Sequence, residues 1–256
     1  MTSQSQTSLR TTVSRGSPHN ACLSALSARA FSLLKPHLTI TTYHEGSVLW
    51  DANRPTADVY FPVSGSVSMV VSVSEASIEV AQICKEAAVG AIIEPAQPDF
   101  YIQGVVQVAG DFILAPASQV SLIAQHNREI DNLLTFCRDW VLFQAQQIAA
   151  CNAVHTTRRR VCRWLFGACE RLETDHLPIT QETVASILGI RRTTVTLIAQ
   201  KLQAEELIQY RRGRISVLDR PRLRTEACEC CESLSRQHWP STRMLNPTAS
   251  TPRAHF

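Results

Sequence analysis

Between Leu38 and about Gln125, apolar and polar residues alternate in short runs punctuated by Gly, Pro and Asp. Val48-Leu49-Trp50, Val59-Tyr60-Phe61, Val67-Ser68-Met69-Val70-Val71, Ile78-Glu79-Val80-Ala81, Val105-Val106-Gln107-Val108 and Asp111-Phe112-Ile113-Leu114 read as strands, since a period of two sets one face against a core. Short strands in succession without intervening helices predict an antiparallel barrel or roll, with turns at Gly46, Gly65 and Gly110. A helix over residues 22–34 is expected to precede it. Then the period changes. Ile130, Leu133, Leu134, Cys137, Trp140, Val141, Gln144, Ile148 and Cys151 recur at steps of three and four, a heptad-like seam suited to pairing with a second copy. Packing of that seam on the chain's own roll is the alternative. A further helix over 157–172 leads on from it.

Residues 179–218 show a third texture. Thr180 is a good N-cap for a helix from Gln181 to Leu188, with Val184, Ile187 and Leu188 at core spacing. Gly189 supplies the left-handed residue that ends a helix cheaply. A second helix follows from about Arg192 to Ala204, with Val195, Ile198 and Leu202 on one stripe and Arg192, Thr193, Thr196 and Gln200 on or near the opposite face. Tyr210-Arg211-Arg212-Gly213-Arg214 then makes a basic turn before the strand-like Ile215-Ser216-Val217-Leu218. Helix, sharp turn, helix and basic hairpin together predict a winged helix-turn-helix that places its second helix in the major groove of DNA. A helical hairpin that merely packs would present a mixed Glu/Lys face there, not short polar residues with arginine.

Charge supports this assignment. Residues 156–224 hold 14 of the chain's 25 Lys+Arg but only 7 of its 22 Asp+Glu, a local net of +7 in a chain of net +3. Positive charge thus gathers where phosphates would have to be neutralised. At 256 residues the chain is long enough for two cores. No apolar run is long enough to span a membrane. The Ser/Thr/Gln-rich stretch 1–20 has no apolar segment of a signal peptide, so it is expected to be a disordered arm, and the Pro-containing stretch 233–256 a flexible tail. Nine cysteines in such a chain suggest reduced thiols and a cytoplasmic location. The fold class is therefore α+β, divided as a roll at 21–126, a long dimerisation helix at 127–154 and a winged helix-turn-helix at 155–232. No P-loop, HExxH, G-x-G-x-x-G or nucleophile elbow is present, so an enzyme is not expected.

Several strings resemble the Crp/Fnr family of bacterial transcription regulators over roughly residues 21–232. They are Tyr60-Phe61-Pro62 with Ser64-Gly65, Ala150-Cys151-Asn152-Ala153-Val154-His155, Gly189-Ile190-Arg191-Arg192-Thr193-Thr194-Val195-Thr196, Tyr210-Arg211-Arg212-Gly213-Arg214-Ile215 and Cys228-Glu229-Cys230. The resemblance implies a jelly roll like those that bind cyclic nucleotides, and a homodimer on a two-half-site operator. It also implies double-stranded DNA as partner, with RNA polymerase as a further candidate. Carried over to this chain, Arg192 matches the family's guanine-reading arginine, with Thr193 and Thr196 near base edges. Thr193 and Leu197 stand where cyclic-AMP-type members place a glutamate and a second arginine. Thr180, Gln181, Arg191, Arg211, Arg212 and Arg214 are expected at phosphates. Ile130, Leu133, Leu134, Cys137, Trp140, Val141, Gln144 and Ile148 are expected at the dimer interface. Arg191 replaces the N-cap serine usual in the family.

Departures from the pattern bear on the signal. Cyclic-AMP-binding members carry a Gly-Glu pair and an Arg-Ser/Thr pair; here Gly90 is followed by Ala91, and Ile102-Gln103 replaces the second pair. Residues 86–127 contain no Arg or Lys at all, so the cyclic phosphate would lack its charge-assisted partner. Cyclic-AMP dependence is not expected. The iron–sulfur arrangement of the oxygen-sensing branch cannot be assembled from Cys22 and Cys84 alone. Cys228-Glu229-Cys230-Cys231 lacks the usual C-x2-C loop and shows no evident second ligand pair, so neither a metal nor a cofactor is expected. His44 and His126 read as surface residues rather than haem ligands. Two alternatives stay open: a constitutive DNA-binding protein whose roll is only a scaffold, and a thiol-responsive regulator acting through Cys137 or Cys151.

Overall fold

The computed structural model describes residues 20–52, 56–73, 76–90, 102–211 and 213–234. Ala91, Arg212, the expected arm up to residue 19 and the tail from residue 235 lie outside the described residues.

The described residues open with two helices, α1 (Ala21–Ala25) and α2 (Ala28–Leu34), where one was expected. The break is at Ser27, whose hydroxyl accepts from the Ala30 N–H at 3.1 Å and starts α2 afresh. Buried Asn20 caps α1 and donates its amide to the carbonyls of Pro62 and Ala87 at 3.0 and 2.9 Å, pinning the helix to the roll.

Among the described residues, eight strands build the roll: β1 (Thr39–Tyr43), β2 (Val48–Trp50), β3 (Asp58–Pro62), β4 (Ser66–Val73), β5 (Ala76–Ile83), β6 (Val89–Gly90), β7 (Ile102–Val108) and β8 (Gly110–Pro116). They form two antiparallel sheets, ordered β1-β8-β3-β6 and β2-β7-β4-β5. All six expected strands are present. β1 and β6 are additional: β1 is threonine-rich and gains its order by pairing along β8, from Thr39↔Leu114 to Tyr43↔Gly110. Phe61 and Phe112 from one sheet and Val67, Met69 and Val106 from the other are fully buried in a common core.

After α3 (Ala117–His126), Asn127 caps the long helix α4 (Arg128–Val154) by accepting from the N–H groups of Glu129 and Ile130. Here the structure corrects the expected dimer seam. Ile130, Leu133, Leu134, Cys137, Trp140 and Val141 are buried in the roll's own core, Gln144 is buried against the Gln82 N–H, and Ile148 is half-buried. The seam is real as a period, but the roll covers it. What α4 leaves open is a second stripe, Thr135, Arg138, Leu142, Ala145, Ala149 and Asn152, again at alternating steps of three and four, in which only Ala145 is partly buried.

The remaining chain forms a separate core from α5 (Thr157–Leu172), β9 (His176–Leu177), α6 (Gln181–Leu188), α7 (Arg192–Ala204), β10 (Ile208–Arg211), β11 (Arg214–Val217), α8 (Arg220–Glu226) and α9 (Cys230–Ser233). The helices expected over 157–172, 181–188 and 192–204 have those bounds. No helix among the described residues is long and apolar enough to cross a membrane.

Polar side chains join this unit to the roll. Trp164 Nε1 donates to Glu79 Oε1 at 3.0 Å, Ser68 Oγ donates to the other Glu79 oxygen, and Ser186 Oγ donates to the Ser77 carbonyl at 3.1 Å. Arg171 donates to Gln82 Oε1 at 2.5 Å. Burial raises the pKa of Glu79, opposed by its hydrogen bonds from Ser68 and Trp164 and by the charges of Arg171 and Arg163. A carboxyl whose folded pKa exceeds its unfolded value contributes stability below the unfolded value, near 4.5, and loses it as pH rises through the folded one. The difference in unfolding free energy between Glu79→Gln and the wild type should therefore move in the variant's favour as pH rises from about 4.5 toward 8. Denaturant unfolding across that range is the check, and parallel profiles would contradict it.

Candidate nucleic-acid interface

The turn between α6 and α7 follows from local chemistry. Thr180 Oγ1 accepts from the Thr183 N–H at 3.1 Å and so caps α6. Gly189 takes φ 62° at the far end, a conformation that costs most other residues energy, and its N–H returns to the α6 carbonyls. Ile78 of the roll packs against this glycine so closely that an added Cβ would meet its Cδ1 at 3.2 Å. Val184, Ile187, Leu188, Val195, Ile198 and Leu202 are buried, fixing α7 on α6.

The outward face of α7 carries the expected base-reading residues. Arg192 and Thr193 are exposed and Thr196 is half-buried. Thr196 Oγ1 donates to Gln181 Oε1 at 2.8 Å, so Gln181, expected at a phosphate, also braces the second helix. Arg192 Nη1 lies 3.2 Å from Glu182 Oε2, with both side chains about two-thirds exposed. Such a pair contributes about 0–1 kcal/mol and is readily exchanged for a base edge. Leu197, 61% exposed on the same face, and exposed Gln200 join this surface. Leu197, in the place where the resemblance puts a second arginine, offers no donor, yet an exposed leucine beside Thr193 and Thr196 is suited to a thymine methyl.

β10 and β11 form the wing, paired from Ile208↔Val217 to Arg211↔Arg214, and β9 extends the sheet through Leu177. Gly213, at φ 77°, lies beside Thr180: an added Cβ would stand 3.7 Å from Thr180 Cγ2. The wing turn and the start of α6 therefore share one end of the module. Among the described residues, Arg191, Arg211 and Arg214 are exposed and form no ion pair. Thr180 spends its hydroxyl on Thr183, so holding α6 in place is its first role.

Other arginines of the basic region are used internally. Arg158 pairs with Glu205 and Glu226, Arg220 with Glu170 and Asp175, and Arg160 donates to the Leu188 carbonyl at 2.7 Å. Arg163 is buried. Of the Arg158-Arg159-Arg160-Arg163 run, only Arg159 is exposed, so the run chiefly clamps helices together.

In the roll, Gly90 has a packing explanation: at φ 107° it lies so close to β3 that a Cβ would meet the Asp58 carbonyl oxygen at 2.5 Å. Gln103 Nε2 donates to Asp51 at 2.9 Å, and the Ile102 carbonyl accepts from Trp50 Nε1 at 3.1 Å. The Trp50 ring occupies the space a side chain at residue 104 would need and stacks on Tyr60 at 6.2 Å. Elsewhere, Cys151, His155, Cys228 and Cys230 converge beside the end of α4, contrary to the expectation that the C-terminal cysteines lack a second ligand pair.

Residues 159–226 match the family model of the Crp-like helix-turn-helix domain. No curated protein matches the chain in sequence. Among solved structures, a Crp/Fnr-family protein from Eubacterium rectale is 21% identical, with a TM-score of 0.64 over 79% of this chain and 95% of that one. FixK2 from Bradyrhizobium japonicum is 18% identical, with a TM-score of 0.64 over 75% and 98%. The c-di-GMP-responsive global regulator CLP from Xanthomonas campestris is 14% identical, with a TM-score of 0.63 over 75% and 100%. The chain thus carries a Crp-like helix-turn-helix domain and has the fold of the Crp/Fnr regulators.

Proposed function

We propose that this chain, with its Crp-like helix-turn-helix domain on a Crp/Fnr fold, is a sequence-specific transcription regulator that acts as a homodimer on an operator of two half-sites. The observation that carries this reading is the outward Arg192–Thr193–Thr196 face of α7, flanked by Arg191, Arg211 and Arg214, which form no ion pair among the described residues. Bases are read by the first set and phosphates by the second. Dimerisation uses the open stripe of α4 centred on Leu142, where Ala145 and Ala149 let a second helix approach closely. Two copies then present two reading heads about one DNA turn apart.

Regulation does not depend on cyclic AMP. Segment 86–127 holds no Arg or Lys to neutralise a cyclic phosphate, and Gln103 is engaged by Asp51. The stacked Trp50 and Tyr60 favour a second reading in which the roll is a scaffold and binding is constitutive. Selection of bound duplexes from random DNA with purified protein tests the first reading: symmetric half-sites are expected, and recovery of unrelated sequences would refute it. A full footprint without any added effector would favour the scaffold reading.

A further inference from the structure

We infer that Cys151, His155, Cys228 and Cys230 form a tetrahedral site for one divalent cation of the zinc class, which staples the start of α9 to the end of the long helix α4. Cys151 and His155 lie one helical turn apart at the end of α4, so both project from one side. Cys228 and Cys230 flank the turn into α9, where the Cys231 N–H returns to the Cys228 carbonyl at 3.1 Å. All four ligand atoms lie within 4.8 Å of one another. Zinc–sulfur bonds of about 2.3 Å and zinc–nitrogen bonds of about 2.0–2.1 Å require tetrahedron edges of roughly 3.8 Å between sulfurs and roughly 3.5 Å between sulfur and nitrogen. The Cys151 and Cys228 sulfurs are 3.5 Å apart, and Cys230 Sγ is 3.6 Å from His155 Nδ1. These are the edges of a site for a single ion. An iron–sulfur cluster, with several metal and sulfide atoms at its centre, needs its ligands farther apart.

Three further observations fit. His155 turns Nδ1 toward the sulfurs and Nε2 toward Glu229 Oε1, 3.0 Å away. A carboxylate behind a ligating histidine fixes the tautomer that leaves the inner nitrogen free to bind metal. Cys151, Cys228 and Cys230 are buried together yet belong to neither hydrophobic core, so packing alone does not account for them. Three thiolates around one dication leave a net negative centre, and buried Arg163, whose Nε has no hydrogen-bond partner among the described residues, is among the cations close enough to act on Cys151 and Cys228. Cys231, next in sequence, points away into the helix-turn-helix core and is not a ligand.

The test uses full-length protein, reduced and stripped of metal, titrated with Co2+ as a spectroscopic probe and then with Zn2+. Cobalt–thiolate charge-transfer and tetrahedral d–d bands should saturate at one equivalent, and Zn2+ should abolish them. Zn2+ should also raise the unfolding midpoint. Cys230→Ser should lose the charge-transfer intensity of one thiolate and bind weakly, while Cys231→Ser and Cys137→Ser, which remove buried thiols elsewhere, should behave as wild type. If Cys230→Ser does not fold, Glu229→Ala keeps all four ligands and should weaken affinity about 10–100-fold. Absence of cobalt–thiolate bands in folded, reduced protein would overturn the proposal. So would equal loss in Cys231→Ser, or a Cys151–Cys228 disulfide that forms while metal has no effect. None of these readouts involves DNA, so they succeed or fail independently of the proposed regulatory role.

Discussion

Replacing Leu142 by glutamate should split the proposed dimer while leaving each subunit folded. The side chain is 57% exposed in the single chain, so the substitution costs little folding stability, within about ±0.5 kcal/mol for an ordinary surface site. It places two like charges face to face wherever the open stripe of α4 meets its copy. Affinity for a two-half-site duplex should fall by about 10²–10⁴-fold, the avidity that a second linked reading head supplies. Affinity for an isolated half-site should not change. Leu133→Ala is the contrast: Leu133 is fully buried in the roll core, so that variant should lose about 2–5 kcal/mol of stability. Sedimentation and DNA titration of Leu142→Glu decide the matter, and unchanged self-association would place the interface elsewhere.

Arg192→Ala should cost about 1–3 kcal/mol on the selected site and relax preference at a single position in each half-site. The residue stands at the first turn of α7 with its guanidinium exposed and, among the described residues, paired with Glu182 alone. Arg214→Ala should act differently, weakening all duplexes alike and reducing the salt slope by about one. Arg214 begins β11 at the wing turn, where it meets no carboxylate among the described residues. Fluorescence titration of both variants on selected and scrambled duplexes at two salt concentrations separates the roles. Equal losses on both duplexes from both variants would refute the division.

Local signals proved readable where local chemistry decides the outcome. The bounds of α6 and α7 follow from a threonine cap, a left-handed glycine and a clear apolar stripe, all within a few residues of one another. β1 was not legible, because Thr39–Tyr43 lacks an apolar alternation and is ordered by β8, some seventy residues away. The seam of α4 shows the limit of periodicity. Spacing identifies a stripe that must be covered, but Leu133 and Leu142 look alike in sequence, and only the path of the roll determines which one it covers. The same holds for the cysteines. Cys151-Asn152-Ala153-Val154-His155 carries a helical ligand pair in plain view, yet its complement at Cys228 and Cys230 lies more than seventy residues on. Counting arginines pointed to the domain that matches the Crp-like helix-turn-helix model, while the ion pairs of Arg158 and Arg220 show that much of that charge is spent inside the domain.

The most direct test is helical phasing of the two half-sites. Affinity would be measured by titration on duplexes bearing the selected half-sites at their natural separation, and with about five or about ten base pairs inserted, half and one full turn of DNA. Two rigidly linked copies of α7 should bind the natural spacing tightly and lose at least tenfold on the half-turn insertion, which puts the second site on the opposite face. Affinity that ignores the insertion would contradict a dimer that reads both half-sites at once.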